Sequence, residues 1–310
     1  MSSRNLSNVS QSVHDRLLNQ AREGGLSFNE LLLYYGIERF LYRLSQTKHN
    51  ETLVLKGALL LRAGASGLTR STRDIDFLDL GGMILEEGGH KKIREVIREA
   101  IDTEVEEDGM EYDPDTIKVE EIRPEARYGG VRVSFRGFLG TARVQMQMDV
   151  GFGDALSGDP VWIDYPELLD YGQPRLLGYP LEAVVAEKFE AIVDLGMTNT
   201  RMKDFYDIWV LSRRETFEGP KIRNSFRATF EKRSTALPEQ PPEPLTKEFG
   251  EAGRKQEQWA SFLKKTRLSA SQSLSAILAA LRKFLLPPAK AAARGKPFPE
   301  KWPEGGPWTR

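Results

Sequence analysis

The feature that most constrains this chain is an apolar segment followed closely by two carboxylates. Residues 53–62 read Leu-Val-Leu-Lys-Gly-Ala-Leu-Leu-Leu-Arg, a pattern that predicts a buried strand, a small-residue turn at Gly57 and a short apolar helix. A basic, hydroxyl-rich loop then leads to Asp-Ile-Asp-Phe at residues 74–77. Because the side chains of a strand alternate between its two faces, Asp74 and Asp76 are predicted to share one face while their neighbours point into a core.

Two carboxylates on one face repel each other unless a cation lies between them. Mg²⁺ is the expected cation because it prefers one or two carboxylates together with substrate phosphates. Gly57 would let a phosphate approach backbone N–H groups at the start of the helix. Arg70 and Arg73 add positive charge in the loop between the two segments. The alternative is that the Asp-x-Asp pair is a solvated strand end without a role.

The run Lys-Gly-Ala-Leu, followed by Arg-Ser-Thr-Arg-Asp-Ile-Asp-Phe, resembles the signature of the nucleotidyltransferase AbiEii/AbiGii toxin family. The resemblance covers about residues 50–215. It implies a nucleotidyltransferase fold and a role as the toxin of a bacterial type IV toxin–antitoxin or phage-defence system. That family usually has Gly-Gly or Gly-Ser where this chain has Gly57 and Ala58, so a hydroxyl that could contact a phosphate is missing. The expected fold class is α+β, with a nucleotidyltransferase-like mixed sheet and a helical C-terminal part.

Composition excludes several classes of protein and of site. Of the 310 residues, 40% are apolar and 29% are charged, and no run is long enough to span a bilayer. The N-terminal Met-Ser-Ser-Arg-Asn lacks an apolar signal core, so a cytoplasmic location is expected. The chain has no cysteine, which excludes disulfides and thiolate sites, and its three histidines are scattered. A net charge of −1 argues against bulk nucleic-acid affinity, although a local basic face stays open.

Residues 1–50 are predicted to form a helical lead-in that packs on the sheet. The first nine residues are polar and expected to fray, and a short helix is predicted over 14–21. Ser27 and Glu30 match a capping box. The apolar stripe that follows them predicts a helix over 28–46, for which a DNA-reading helix is the alternative.

The α/β core is predicted over residues 51–160. It is expected to contain a helix over 91–101, a solvated acidic segment over 104–115, and strands over 117–122, 131–136 and 143–150. In the last strand the apolar residues share one face, so Asp149 lies on the opposite, polar face. A third metal-binding carboxylate of a nucleotidyltransferase would lie there. Asp154, in a Gly-rich loop, is the competing candidate, and a strand-end acid without a role is the remaining alternative.

A helical domain over residues 161–235 is predicted to complete the site. After a loop-rich segment, Pro180 opens a helix in which Lys188 lies at the centre of the apolar stripe. This lysine either extends its ammonium group to solvent or binds an anion such as a triphosphate. Asp204 and Asp207 stand one turn apart on the next helix, where the helix dipole could also stabilise them. In the family's downstream motif a lysine and a helix aspartate complete the site; Lys188 and Asp204 match best, with Asp207 in reserve.

The C-terminal part is predicted to be the least regular. Four prolines within residues 236–244 mark a linker over 236–255. One helix is expected over 256–286, stopped by the two prolines that follow. The Pro- and Gly-rich basic tail over 287–310 is expected to be mobile, and it could contact RNA, bind a partner or have no role.

These residues predict nucleotidyl transfer from an NTP, with Mg²⁺ as cofactor. The metal ligands and catalytic carboxylates would be Asp74, Asp76 and Asp149, with Asp149 joining a second metal and deprotonating the acceptor hydroxyl. Lys188 and Asp204 complete the catalytic set. The nucleotide-binding candidates are Lys56, Gly57, Ala58, Arg70, Ser71, Arg73, Lys188 and Asp207.

The resemblance further implies that the acceptor is the 3′ end of a tRNA and that the partner is a cognate antitoxin encoded nearby. Two alternatives stay open. One is a nucleotidyltransferase that modifies a protein or a small molecule. The other is a catalytically inactive, partner-binding module of the same fold, which Ala58 favours to some extent.

Overall fold

The computed structural model describes residues 3–24, 26–63, 72–83, 88–122, 129–153, 156–266, 268 and 272–310. These residues form two compact units. Within the described ranges, the first unit contains residues 3–63, 72–153 and 161–178, and the second contains residues 156–160 and 179–310.

The first unit combines helices with one sheet. Its elements in chain order are α1 (Ser3–Gly24), α2 (Phe28–Ser45), β1 (Leu53–Lys56), α3 (Gly57–Ala63), β2 (Asp74–Asp79), α4 (Gly89–Asp102), β3 (Met110–Glu121), β4 (Gly130–Leu139), β5 (Ala142–Phe152), β6 (Val161–Asp164) and β7 (Arg175–Gly178). The segment around Gly57 thus folds as predicted, as a strand, a turn, a short helix and a second strand.

Seven strands of the described chain form one sheet in the order β3-β4-β5-β2-β1-β7-β6. β2 runs parallel to β5 and β1 runs parallel to β7, whereas the other neighbouring pairs are antiparallel. This mixed sheet, followed by a helical C-terminal part, confirms the predicted α+β fold class. The two strands that carry the Gly57 segment, β1 and β2, lie in the interior of the sheet.

One face of the sheet is apolar and lies against α2. The apolar residues of β5, which were predicted to share one face, are buried: Val144, Met146, Met148 and Val150. α2 packs across that strand. The helix begins at Phe28 because Ser27 and Glu30 form the predicted capping box. The Ser27 side chain accepts the N–H of Glu30, and the Glu30 carboxylate accepts the N–H of Ser27.

Two predictions at the periphery of this unit are corrected. α1 is already helical at Ser3, so the expected fraying of the first nine residues is wrong for the described ones. Val13 and Leu17, one helical turn apart, are fully buried and anchor it. The segment expected to be loop-rich contains β6 and β7, each only four residues long and too short to carry a clear alternating pattern.

The acidic segment over residues 104–115 is not simply solvated, contrary to expectation. Asp108 is buried, and its carboxylate accepts hydrogen bonds from Arg39 Nε at 2.9 Å and from Arg43 Nη1 and Nη2 at 2.6 and 3.0 Å. A buried carboxylate requires such donors, and α2 supplies them. β3 then begins at Met110, earlier in the chain than predicted.

The second unit is mainly helical. Its elements are α5 (Leu181–Leu195), α6 (Met202–Arg214), β8 (Phe217–Glu218), α7 (Gly219–Arg233), α8 (Lys247–Glu251), α9 (Gly253–Thr266), α10 (Leu274–Ala293) and β9 (Lys301–Trp302). α5 begins directly after Pro180, as predicted. None of the helices in the described ranges combines the length and apolar content that crossing a membrane requires.

The C-terminal predictions are corrected in two places. The predicted linker over 236–255 contains α8, and Leu245 within it is fully buried, so this stretch packs into the unit. The single helix predicted over 256–286 is two helices, α9 and α10. The prolines of this stretch therefore do not mark a segment that leaves the core.

α10 continues through its two prolines to Ala293 instead of stopping at them. Proline has no N–H, so Pro288 leaves the carbonyl of Phe284 without its helical partner. The Nε1 of Trp308 donates to that carbonyl at 2.9 Å. The rings of Trp302 and Trp308 pack on the Phe284 ring, with centroids 4.9 and 5.8 Å away. This part of the tail is therefore packed, and the expectation of a mobile tail is wrong.

Candidate active site

The sheet places Asp76 between a lysine and a second carboxylate. β2 pairs Asp76 with Asp149 of β5 and Asp74 with Gln147, and β1 pairs Lys56 with Asp76 from the other side. Residues paired in register project to the same face of a sheet. All five side chains therefore lie on the face opposite the apolar one.

Two of these carboxylates are held by polar side chains from neighbouring strands. Gln147 Nε2 donates to Asp74 Oδ1 at 2.7 Å. Arg132 of β4, paired in register with Asp149, donates from Nε and Nη2 to the two carboxylate oxygens of Asp149, each at 2.8 Å. The hydrogen bond to Asp149 raises the pKa of Arg132 against the opposing effect of burial. A bidentate pair of this kind fixes the orientation of the carboxylate.

Sequence reasoning missed Arg132. On β4 the buried Val131, Val133 and Phe135 alternate with it, which puts the arginine on the polar face. That signal was present in the sequence. The assignment to Asp149 additionally requires knowing that β4 lies beside β5 and in which register.

Gly57 leaves the space that the Asp76 side chain occupies. Its φ is +70°, in the left-handed region that favours glycine. A Cβ at this position would lie 2.0 Å from Asp76 Oδ2 and 2.7 Å from its Cγ. The glycine is therefore explained by a neighbouring carboxylate, whereas its predicted contact with a phosphate stays a prediction. Ala58, which follows it, is buried at the start of the seven-residue α3.

The loop that was expected to bind the nucleotide is described only in part. Arg73 is exposed, immediately before β2. Arg70 and Ser71 lie outside the described residues, as does Asp154, the alternative to Asp149.

The donor set suits one divalent cation held by Asp74 and Asp76. Two carboxylates on one face, together with substrate phosphates, are a ligand set that Mg²⁺ commonly uses. Asp149 is in register with Asp76, but both of its oxygens bond to Arg132. Within the part of the chain that the structure describes, no three acidic or histidine side chains form a ligand cluster. The pair therefore fits Mg²⁺, while the predicted third ligand has a guanidinium partner.

Lys188 has two acidic partners inside the second unit. Its Nζ donates to Asp204 Oδ1 and to Asp207 Oδ2, each at 2.8 Å. The aspartate side chains are 0% exposed and the lysine side chain is 13% exposed. Arg201 Nε also lies 2.6 Å from Asp204 Oδ2. Burial disfavours the ammonium form, but Asp207 and Asp204 outweigh it, so the pKa of Lys188 is raised.

The sequence-predicted site residues thus fall into two groups. Lys56, Gly57, Asp74, Asp76 and Asp149 come together in the first unit. The three predicted residues of α5 and α6 come together in the second unit, where α6 presents both aspartates to the lysine of α5. The sequence predicted that Lys188 either extends to solvent or binds an anionic ligand. In the structure its ammonium group contacts two carboxylates of the protein instead.

Comparison with known proteins gives one family. Residues 39–283 match the family model described as nucleotidyl transferase AbiEii toxin, type IV TA system. A search of the curated proteins finds no match.

Two solved structures from Helicobacter pylori are similar to this chain. One, described as a candidate nucleotidyltransferase, is 16% identical, with 87% of this chain and 97% of that chain covered and a TM-score of 0.45. The other, JHP933, is 15% identical, with 86% and 92% covered and the same TM-score.

Proposed function

The chain belongs to the nucleotidyl transferase AbiEii toxin family of type IV toxin–antitoxin systems, and on that premise we propose that it transfers nucleotides from an NTP to the 3′ end of a tRNA. The observation that carries the proposal is the pairing of Lys56, Asp76 and Asp149 on three adjacent strands. One cation and two carboxylates in a row can bind a triphosphate at one end and orient an attacking hydroxyl at the other. A blocked tRNA 3′ end would halt translation.

In the proposed reaction the acceptor hydroxyl oxygen bonds to the α-phosphorus of the NTP. The bond from that phosphorus to the β-phosphate oxygen breaks, and pyrophosphate leaves. Asp74 and Asp76 would hold Mg²⁺, which when bound neutralises charge on the triphosphate. Lys56 and Arg73 bind the phosphates, together with the predicted loop residues outside the described ranges.

Asp149 accepts the proton of the attacking hydroxyl at one of its carboxylate oxygens. Arg132 holds that carboxylate against the sheet by two hydrogen bonds, so the base has one orientation before the acceptor arrives. Each carboxylate oxygen keeps a second lone pair, so one of them can accept the hydroxyl proton while Arg132 stays bound. Arg132 is therefore a positioning residue in this mechanism.

The nucleotide contacts predicted for Lys188, Asp204 and Asp207 stay predictions. Their buried ion pairs support a role in joining α5 to α6. Equilibrium binding of an NTP to a Lys188→Arg variant separates the two roles. Arginine keeps the charge but changes the geometry of the contact, so a loss of NTP affinity without a loss of thermal stability supports nucleotide contact.

The direct test incubates the purified chain with Mg²⁺, each NTP labelled on its α-phosphate, and a mixture of RNA and protein. We expect label in the tRNA fraction for the wild type and none for Asp76→Asn. Asp115→Asn is the matched control, because Asp115 is a strand carboxylate of the same unit that is 89% exposed and lies outside the row. Equal labelling by wild type and Asp76→Asn would contradict the proposal.

The fraction that takes label decides between acceptors. Label in protein or in a small molecule supports a transferase with a different acceptor. Growth arrest that persists in an Asp76→Ala strain, with no label anywhere, supports an inactive module that acts by binding a partner. Besides Ala58, the pairing of Asp149 with Arg132 favours this second function, since it gives that carboxylate a guanidinium partner.

The family also implies a cognate antitoxin as the partner. We propose a cytoplasmic location, because NTPs and tRNA are found there. Co-expression with the product of the adjacent gene should relieve growth arrest if that product is the antitoxin.

A further inference from the structure

The net charge of −1 hides a strong asymmetry between residues 1–178 and residues 179–310. Residues 1–178 carry 21 Lys and Arg against 29 Asp and Glu, a net charge of −8. Residues 179–310 carry 23 against 16, a net charge of +7. A polyanion that meets this chain is therefore attracted by residues 179–310 and repelled by residues 1–178.

α6 carries part of this basic charge to solvent. The α6 side chains that are not buried are Lys203, Tyr206, Trp209, Arg213 and Arg214. All are basic or aromatic. Both acidic residues of α6 are fully buried and already compensated by Lys188 and Arg201. The side chains that α6 leaves unburied are therefore all basic or aromatic.

α9 extends this surface. The Tyr206 ring lies 5.7 Å from the Phe262 ring and 6.4 Å from the Trp259 ring of α9, measured between centroids. Lys265 follows Phe262 by three residues, which puts it on the same side of α9. The only acidic residue among those of α9 is Glu257. We call Lys203, Tyr206, Trp209, Arg213, Phe262 and Lys265 the basic–aromatic face.

We infer that the basic–aromatic face binds the acceptor RNA, through phosphates on its cations and an unpaired base on its rings. This inference rests on the proposed function for the class of acceptor. Lysine and arginine that contact phosphates release counterions, and exposed rings bind bases by stacking without reading sequence. Single-stranded RNA, such as the unpaired end of a tRNA, offers both groups at once.

Tyr206 and Trp209 are suited to stacking because they are partly exposed and supported from behind. Their rings lie 5.8 Å apart, and the Tyr206 ring also packs on Phe262 and on the buried Trp259, whose own centroids are 5.5 Å apart. A ring fixed in this way loses little side-chain freedom when a base binds. Arg213 uses its Nη1 to donate to the Gly305 carbonyl at 3.2 Å, which leaves further N–H donors of the same guanidinium for a phosphate.

The experiment measures binding of the full chain to a fluorescent single-stranded RNA over a salt series, without NTP or Mg²⁺. Transfer chemistry is not required, so failure of the proposed reaction and failure of this inference can be told apart. The variant is Lys203→Gln/Lys265→Gln. Its control, Lys91→Gln/Lys118→Gln, makes the same change in net charge at two exposed lysines of the first unit.

We expect the variant to lower the slope of log affinity against log salt by about 1.4, since each phosphate contact with a single strand contributes about 0.7. With equal affinities at about 1 M salt, this gives a loss of about 25-fold near 0.1 M. The control should keep the wild-type slope. Tyr206→Leu should weaken binding about fivefold or more while leaving the slope unchanged.

Several results would overturn the inference. They are wild-type affinity and slope in the double variant, an equal loss in variant and control, and no RNA binding by the wild type. Equally tight binding of single-stranded DNA of the same sequence would overturn the choice of RNA. Loss of the adjacent antitoxin's binding with unchanged RNA affinity would assign the face to a protein partner instead.

Discussion

Replacing Gly57 by alanine tests whether this position exists to make room for Asp76. The backbone there has a φ of +70°, which costs an L residue about 1–2 kcal/mol. The added Cβ would also lie 2.0 Å from Asp76 Oδ2, so the carboxylate must move by about 1 Å or more to restore ordinary contact. Such overpacking adds about 1–3 kcal/mol. We expect the free energy of unfolding to fall by about 2–5 kcal/mol and nucleotidyl transfer to be lost, because a proposed metal ligand is displaced.

Gly82 supplies the matched control. Its φ is +68°, nearly the same as that of Gly57, but a Cβ built there meets nothing within 4 Å among the described residues. Gly82→Ala should therefore lose only the backbone part, about 1–2 kcal/mol. Urea unfolding of both variants, followed by circular dichroism, gives the difference that belongs to contact with Asp76.

A double-variant cycle isolates that contact. In the Asp76→Ala background the atoms at 2.0 and 2.7 Å are gone, and the closest Asp76 atom that stays is Cβ at 2.9 Å. The effect of Gly57→Ala should then fall to nearly that of Gly82→Ala. Equal losses for the two glycine variants in the wild-type background, or full transfer activity in Gly57→Ala, would refute this account of the position.

Three further predictions concern charged groups. Arg132→Gln should free the carboxylate on β5 and tighten binding of Mn²⁺ to the nucleotide-free chain, measured by calorimetry. Arg136→Gln, four residues further on the same face of β4, should not; unchanged Mn²⁺ affinity in both variants would contradict the pairing. Lys188→Met leaves two buried aspartates without their ammonium partner and should lower the free energy of unfolding by about 3–5 kcal/mol, and a loss below about 1 kcal/mol would refute the pairing. Burial raises the pKa of Glu38 to about 7, above its ordinary value. The folded state therefore favours the protonated carboxyl. The free energy of unfolding should fall by up to about 3 kcal/mol as pH rises from about 4.5 to 7. Glu38→Gln should remove that part of the slope in urea titrations at several pH values.

Local patterns predicted the parts of the fold whose stability is decided locally. The capping box at Ser27 and Glu30, the start of α5 after Pro180, and the strand–turn–helix–strand around Gly57 all follow from a few adjacent residues. Alternation alone placed Asp149 on the polar face of β5, because a shift of one residue would have buried its charge. These features could be read without knowing which strands are neighbours.

The remaining features depend on residues far apart in the chain. Asp108 looks like one acid among many in a charged run, and only the packing of α2 against the start of β3 supplies the Arg39 and Arg43 that allow it to be buried. The same holds for Pro288, whose missing N–H predicts a helix end. The indole N–H of Trp308 donates to the Phe284 carbonyl, so α10 does not have to end at the proline. Sequence periodicity contains no information about such partners.

For Lys188 the sequence pattern was recognised correctly, but the anion that it requires was not identified. A lysine at the centre of an apolar stripe does require an anion, and the stripe was read correctly. The anions are Asp204 and Asp207, so with Arg201 the cluster contains two positive and two negative charges. A neutral cluster has little surplus attraction for a triphosphate. Phosphate binding must then depend mainly on cations outside this cluster, and on the sheet we propose Lys56, the register partner of Asp76, for that role. We therefore expect Lys56→Gln to weaken NTP binding more than Lys188→Arg does, and the opposite order would restore the direct role of Lys188.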